Sequence, residues 1–161
     1  MQMIKGNGMA INRSSLCVMA LLVLSACATA RTGDSVKINV SRLVDSTTKS
    51  SRSQMNAMEE LESLGEPAIP YIVSHLSDMR PVASRSITFT NKSQQSFEAF
   101  RHYKPETVHD ALSALLNQMT GQRFESVSNG ATSVQRQENV REWVRWCKQA
   151  YPDQATQCEG G

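Results

Sequence analysis

Ser46-Thr-Thr-Lys49 carries the Ser-x-x-Lys spacing in which a lysine amine helps to deprotonate a serine nucleophile. No Lys-Thr-Gly follows, the motif falls in a polar stretch, and the chain is short for an enzyme of that kind, so the spacing reads as chance. His75, His102 and His109 are the only histidines, and His102 and His109 flank Pro105 without the regular helical spacing of a zinc pair. Solvent-facing or hydrogen-bonded imidazoles are expected, and neither a metal nor any other cofactor. Glu59, Glu60 and Glu62 have the composition of an acid/base set, yet they fall opposite the leucines of their helix, on a solvated face. Trp143 belongs on an apolar face, whereas Trp146 lies at its edge, where an indole could stack on a sugar ring or a partner. With no nucleophile, base or metal set in view, the expectation is a protein that is not an enzyme.

The four cysteines divide by position. From Leu16 to Ala26 the apolar run is eleven residues, whereas a helix needs about 20 to cross a bilayer core. Lys5 and Arg13 precede it with no acidic residue, which is the layout of a secretory signal, with Met1 and Met9 both open as the start. Leu24-Ser25-Ala26-Cys27 resembles the lipobox of bacterial lipoproteins, which implies a diacylglycerol and palmitate-type acyl chains on Cys27 and cleavage before it. Cleavage after Ala28-Thr29-Ala30, or a buried core helix, are the competing readings. Multiple acyl chains would hold the chain stably at a membrane, because each buried methylene contributes about 0.8 kcal/mol. Ala28, by resemblance to enterobacterial lipoprotein sorting, favours the outer membrane, with the protein facing the periplasm. Cys17 leaves with the signal, so Cys147 and Cys158 remain as an even pair for an oxidising compartment. A bridge would fold the tail back through Pro152; a buried free Cys147 beside a loose tail is the alternative.

Loss of the signal removes two basic charges from a chain with 17 basic and 15 acidic residues, so the mature part is neutral and nucleic acid is not an expected partner. The charges lie in blocks. Residues 55–78 hold five acids and no Lys or Arg, and residues 80–104 hold five basic groups, Arg80, Arg85, Lys92, Arg101 and Lys104, beside the single acid Glu98. Packing of this basic block against the acidic helix around Glu59–Glu66 is expected; a basic docking surface, with Trp146 as a further contact, is the sharper alternative.

The elements that must position these groups are mainly helical. Residues 27–53 are rich in Ser, Thr and Arg and read as a polar tether, interrupted by Val36-Lys37-Ile38-Asn39-Val40, whose alternation predicts a short strand. Ile87-Thr88-Phe89-Thr90 alternates too and could pair with it. Met55, Ala57, Met58, Leu61 and Leu64 recur at helical steps up to Gly65. Pro67 can open the next helix, with Ile69, Ile72, Val73 and Leu76 on one face and Pro70 confined to the first turn. A third helix runs from Pro105 with Val108, Leu112, Leu115, Leu116 and Met119 inward and Gly121 as its stop. Asn129-Gly130 marks a turn before a fourth, which begins near Ser133 with Thr132 and Gln135 as a capping box and buries Val140, Trp143, Val144 and Cys147.

The segment from Ala57 through Leu64-Gly65-Glu66-Pro67-Ala68-Ile69-Pro70 to Asp78 resembles the junction between HEAT-type helical repeats, and Val108–Leu116 is similar to the second helix of such a repeat. The tail, with Met119–Phe124 and Trp143-x-x-Trp146, is similar to the ending of some bacterial HEAT-like proteins. These stretches cover about a third of the chain, and the long insertion at 78–104 departs from a HEAT turn. The expected fold is therefore mainly α: a signal over 1–26, a tether over 27–53, and over 54–161 a small HEAT-like helical hairpin with flanking helices, an inserted basic loop at 79–104 and room for one short β pair. HEAT-like surfaces generally bind proteins, so the resemblance implies a lipid-anchored periplasmic binding or scaffold module with an envelope protein as partner, oligomeric state open. An inhibitor or immunity protein of a periplasmic enzyme is the alternative, and a cell-envelope hydrolase the third reading.

Overall fold

A computed structural model describes residues 33–91, 98–124 and 131–160. Cys27, the signal, Lys92 and the Asn129–Gly130 turn lie outside the described residues. The protein is mainly helical with one two-stranded antiparallel sheet. Among the described residues no helix is long and apolar enough to cross a membrane.

The predicted strand at Val36–Val40 is instead part of helix α1, residues 33–46. Val36, Val40, Leu43, Val44 and Thr47 continue at helical spacing, and Val40, Leu43 and Val44 are buried at 0, 3 and 1 % exposure, whereas Ile38, which created the alternation, is 68 % exposed. A five-residue window matched period 2 where the longer stripe has period 3.6. The expected tether is corrected with it: residues from Ser35 onward belong to the compact unit that ends at Gly161.

After the turn at Thr47–Lys49, Ser50 caps helix α2 (Ser51–Ser63), its hydroxyl accepting from the Ser53 amide. Gln54, Ala57, Met58 and Leu61 face inward. Gly65 has φ of 67° but ψ of −156°, an extended positive-φ conformation open to glycine rather than the αL conformation expected where the helix stops. A single 3-10 turn, Glu66–Ala68, leads into α3 (Ile69–Ser74), and Pro70 falls in its first turn as its missing amide requires.

The insert is stitched down rather than loose. Val108 and His109 donate their amides to the Arg80 and Asp78 carbonyls at 2.9 Å each, and Ala83 donates to Thr47 at 3.0 Å. The buried Gln54 amide clamps Ser84 from both sides, donating to its carbonyl at 2.9 Å and accepting from its N–H at 2.6 Å. Strand β1 (Ile87–Thr90) pairs with β2 (Phe100–Tyr103), not with residues 36–40, Ile87 opposite Tyr103 and Phe89 opposite Arg101. Ile87 and Phe89 turn inward, and Phe89 meets Tyr103 edge-on at 5.8 Å.

Helix α4 (Val108–Thr120) is the centre: every residue from Val108 to Leu116 is buried, and α2 and α3 both pack on it. Thr107 and Asp110 form its capping box, and Gly121, at φ 72°, ends it where the sequence places the stop. Helix α5 (Ser133–Ala150) begins with the Thr132–Gln135 capping box that the sequence predicts and packs on α3. Cys147 and Cys158 form a disulfide, both fully buried, which pins the 3-10 turn Pro152–Gln154 beneath α5.

A polar seam joins α4 to α5. Arg136 grips Asp110 in a two-pronged contact at 2.8 and 2.9 Å and reaches Glu106 at 3.2 Å. Deeper in, Ser113 accepts from the Trp143 indole at 3.2 Å and donates to Asn139 at 3.0 Å. These contacts satisfy polar groups that burial would otherwise penalise.

Candidate functional site

Among the described residues, the ion pairs of Arg80 and Arg85 go to acids outside α2. Arg80 is bound to Asp78 at 2.6 Å and to Asp45 at 2.8 Å, and Arg85 lies 3.6 Å from Glu106. Glu60 of the acidic helix pairs with Arg42 of α1 at 3.3 Å. The tight turn after α3 delivers Arg80 to the C-terminal end of α1, where Asp45 waits; sequence distance gave no hint of that proximity. Arg101 stands opposite Phe89 on the inward side of the sheet, while Lys104 is exposed beyond the end of β2. Arg80 is thus an internal clamp, and Arg101 and Lys104 leave the strand in different directions. Ser46 donates to the Arg42 carbonyl at 3.0 Å, an ordinary helix-end contact.

The histidines are dispersed. His102 meets the Thr88 hydroxyl at 3.0 Å across the sheet. His109 is fully buried, its Nδ1 donating to the Leu76 carbonyl at 2.7 Å while Nε2 has no partner. Burial holds its pKa below the ordinary value, ahead of the opposing pull of the Leu76 carbonyl and Asp110, so it is neutral at pH 7. Among the described residues no group of three or more His, Cys, Asp or Glu could hold a metal.

Three concave surfaces stand out among the described residues, and two of them flank α2. The first is a groove of about 500 Å3 between α2 and β1, lined by Met55, Met58, Glu59, Glu62, Ile87 and Phe89 among others. Met55, expected inward, is 58 % exposed here. The Asn91 amide bonds Ala99 at 2.8 Å, which sets the ladder's phase: Thr88 directs its backbone N–H and C=O away from β2 toward the open edge. The equivalent Thr90 carbonyl accepts from Gln118 of α4 at 2.6 Å.

The second surface is a cleft of about 430 Å3 on the other side of Glu62, walled by Trp146, Tyr151, Ile69 and Met119, with Glu62 and Glu66 at its rim. Its rings belong to a chain of edge-on contacts, Phe124 to Trp143 at 4.8 Å, Trp143 to Trp146 at 5.5 Å and Trp146 to Tyr151 at 5.9 Å. Trp146, picked out from the sequence, therefore lies in a formed cleft. Burial raises the Tyr151 pKa, helped by the Glu66 carboxylate beside it.

The third, about 600 Å3, contains Lys37, Ser41, Tyr71, His75, Asp78 and Glu159. Ser41 Oγ lies 3.1 Å from His75 Nε2. Burial lowers the His75 pKa, outweighing Asp78 and Asp45, so the ring is neutral at pH 7 and able to accept a proton from a hydroxyl. The Asp78 carboxylate is held by Arg80, whose side-chain and backbone hydrogen bonds outweigh the effect of its burial and keep it ionised. Sequence inspection missed this pair because Ser41 and His75 are 34 positions apart on different helices.

No protein-family model, curated protein or solved structure matches the chain.

Proposed function

We propose that the protein is a lipid-anchored component of the bacterial cell envelope, held at the outer membrane through acyl chains on Cys27, whose helical domain faces the periplasm and docks another envelope protein. The observation that carries the docking reading is the α2–β1 groove, where Met55 is 58 % exposed beside the open edge of β1. Methionine is an adaptable contact residue, and a free strand edge can accept an extended segment. The buried Cys147–Cys158 bridge supports an oxidising compartment. The Gly65–Pro67 junction, with its positive-φ glycine and proline-opened turn, supports a HEAT-like reading of the domain.

The test is site-specific photo-cross-linking in intact cells. A photoreactive side chain at Met55 is expected to capture a discrete partner, whereas the same probe at Val134, 70 % exposed on α5, is expected to capture none. Equal or absent capture at both positions would sink the reading. A second reading, an envelope hydrolase, is favoured by the Ser41–His75 pair in its 600 Å3 cleft. Labelling of Ser41 by a fluorophosphonate, lost in His75→Ala, would establish it over docking as the primary activity.

A further inference from the structure

The cleft between α2 and α5 combines an aromatic corner with hydrogen-bonding groups of both kinds. Trp146 and Tyr151 meet at 80° with centroids 5.9 Å apart, so the two rings form a corner and not a stack. Ile69 and Met119 extend the apolar wall. Trp146 brings an indole N–H donor to this lining, and Glu62 and Glu66 bring acceptors. Neither carboxylate waits for a counter-ion: Glu66 accepts from the Tyr151 hydroxyl, and Glu62 has a partner of its own. A carboxylate has about four lone-pair sites, so the bond from Tyr151 orients Glu66 and leaves it able to accept again.

This set suits a ligand that is apolar on one face and both donor and acceptor around its edge. An anion would meet two carboxylates. A Lys or Arg head has donors only, which leaves the indole N–H without an acceptor. A purely apolar group would strip water from the carboxylates and the indole N–H and replace none of it. A peptide backbone carries donors and acceptors, but it pairs them along a strand edge, which the helical walls of this cleft lack. A sugar hydroxyl both donates and accepts, and a sugar ring presents a face of C–H groups that packs on an aromatic surface. An acetamido substituent adds a methyl for Ile69 and Met119, an N–H for a carboxylate and a carbonyl for the indole.

From this geometry we propose that the cleft binds an N-acetylated sugar ring of a neutral oligosaccharide, the ring against Trp146, its hydroxyls on Glu66 and its acetamido methyl toward Ile69 and Met119. The site is distinct from the α2–β1 groove, with which its lining shares Glu62 alone. It therefore goes beyond the docking reading and does not rest on it.

The experiment titrates the disulfide-bonded protein with tri-N-acetylglucosamine, following heat and tryptophan emission. Trp143 is fully buried, so the indole that meets added ligand is that of Trp146. Saturable binding is expected, unchanged between about 0.05 and about 0.5 M salt because the ligand carries no charge to screen. Trp146→Leu should weaken it about five- to ten-fold and Glu66→Ala about ten-fold, the sizes of one aromatic contact and one charge-assisted hydrogen bond. Glu138→Gln, which removes an acid paired with Arg141 outside the cleft, should leave it unchanged. Cellotriose, which lacks the acetamido groups, should bind more weakly. Since Glu66 is exposed, Glu66→Ala does not threaten folding and decides the matter if Trp146→Leu unfolds. No saturable heat, equal binding of cellotriose, or equal weakening by Glu138→Gln overturns the proposal. So does tighter binding of an acetylated, amidated tri-arginine peptide than of the trisaccharide. Failure of this titration leaves capture at Met55 in cells unaffected, and failed capture leaves the titration unaffected, so the two ideas fall separately.

Discussion

Replacing Arg136 by Met tests whether the α4–α5 seam is held by charge or by shape. The Asp110 side chain is fully buried and that of Arg136 is 11 % exposed. Removing one partner of such a pair leaves an uncompensated buried charge, at a cost of about 3 to 5 kcal/mol. Asp110 keeps two other donors, the Glu106 and Thr107 amides at 3.0 and 3.1 Å, so the lower end of that range applies, about 3 kcal/mol. For a unit of this size that corresponds to a drop in Tm of about 10 to 15 °C. Asp110→Asn/Arg136→Met should cost less than the sum of the single changes, since the double change removes the orphaned charge. The pH dependence follows from the depressed Asp110 pKa. Burial pushes it up, but the hydrogen bonds from Arg136, Glu106 and Thr107 together overcome that and hold it low. Its stabilising contribution is therefore complete above the unfolded carboxylate value and is lost as pH falls through the lower folded value. In Arg136→Met the folded Asp110 value rises, so the acid-induced loss traced to it should shrink and the variant's deficit against the wild type should narrow as pH falls. Urea unfolding from pH 3 to 7 reads both effects. A single variant within about 0.5 kcal/mol of the wild type, the range of an ordinary surface change, would refute the buried-pair argument.

Metabolic labelling with a fatty-acid analogue should tag the protein and Cys27→Ser should abolish the tag; an unlabelled protein beginning at Arg31 would defeat lipidation. Non-reducing mass mapping should find the Cys147 and Cys158 peptides linked, and their joint replacement by Ala should cost about 2 to 3 kcal/mol, the chain-entropy value for a bridge spanning 11 positions. His109 has a folded pKa below its unfolded value, so stability is full above pH of about 6.5 and declines as pH falls toward the folded value. His109→Asn, which keeps a donor toward Leu76, should reduce that decline, leaving the contribution of His75, whose pKa is also lowered; an unchanged slope would show that His109 does not titrate on unfolding. Arg85→Glu should shift stability by no more than about 1 kcal/mol, because its side chain is 76 % exposed and its contact with Glu106 is 3.6 Å; a larger loss would mean that the insert is held by this charge.

Where a helix announced itself by both a stripe and a stop, the sequence was enough. Leu112, Leu115 and Leu116 with Gly121, and Trp143 and Cys147 with the Thr132–Gln135 box, mark α4 and α5, and the structure has both where those residues place them. Local signals failed where a short window fitted two periods, as at Val36–Val40, and where the periodicity was interrupted by charge. Strand β2 is such a case: Arg101 and Tyr103 face inward and Phe100 is 52 % exposed, the reverse of the usual alternation, so Phe100–Tyr103 carries no strand signature of its own. It is a strand because the stitched-down insert brings it beside β1, a long-range fact.

The same distinction governs the surfaces. Cys147 and Cys158 were legible because a disulfide depends on count, compartment and a turn, all of which a sequence displays. The aromatic cleft was not, although Trp146 was noticed, because its parts come from the end of α2, the Glu66–Ala68 turn, the last turn of α4 and the end of α5. Glu62 was read as a solvated charge, which is what one-helix periodicity says of it. What puts Glu62 and Glu66 beside aromatic rings is the return of the chain at Tyr151, next to Trp146, at the turn that the Cys147–Cys158 bridge closes. That bridge encloses Tyr151 between its two cysteines, so the covalent link that stabilises the tail also sets one wall of the cleft. The residues that tie down the tail and the residues that shape the cleft are here the same few, and no single segment of the chain records both.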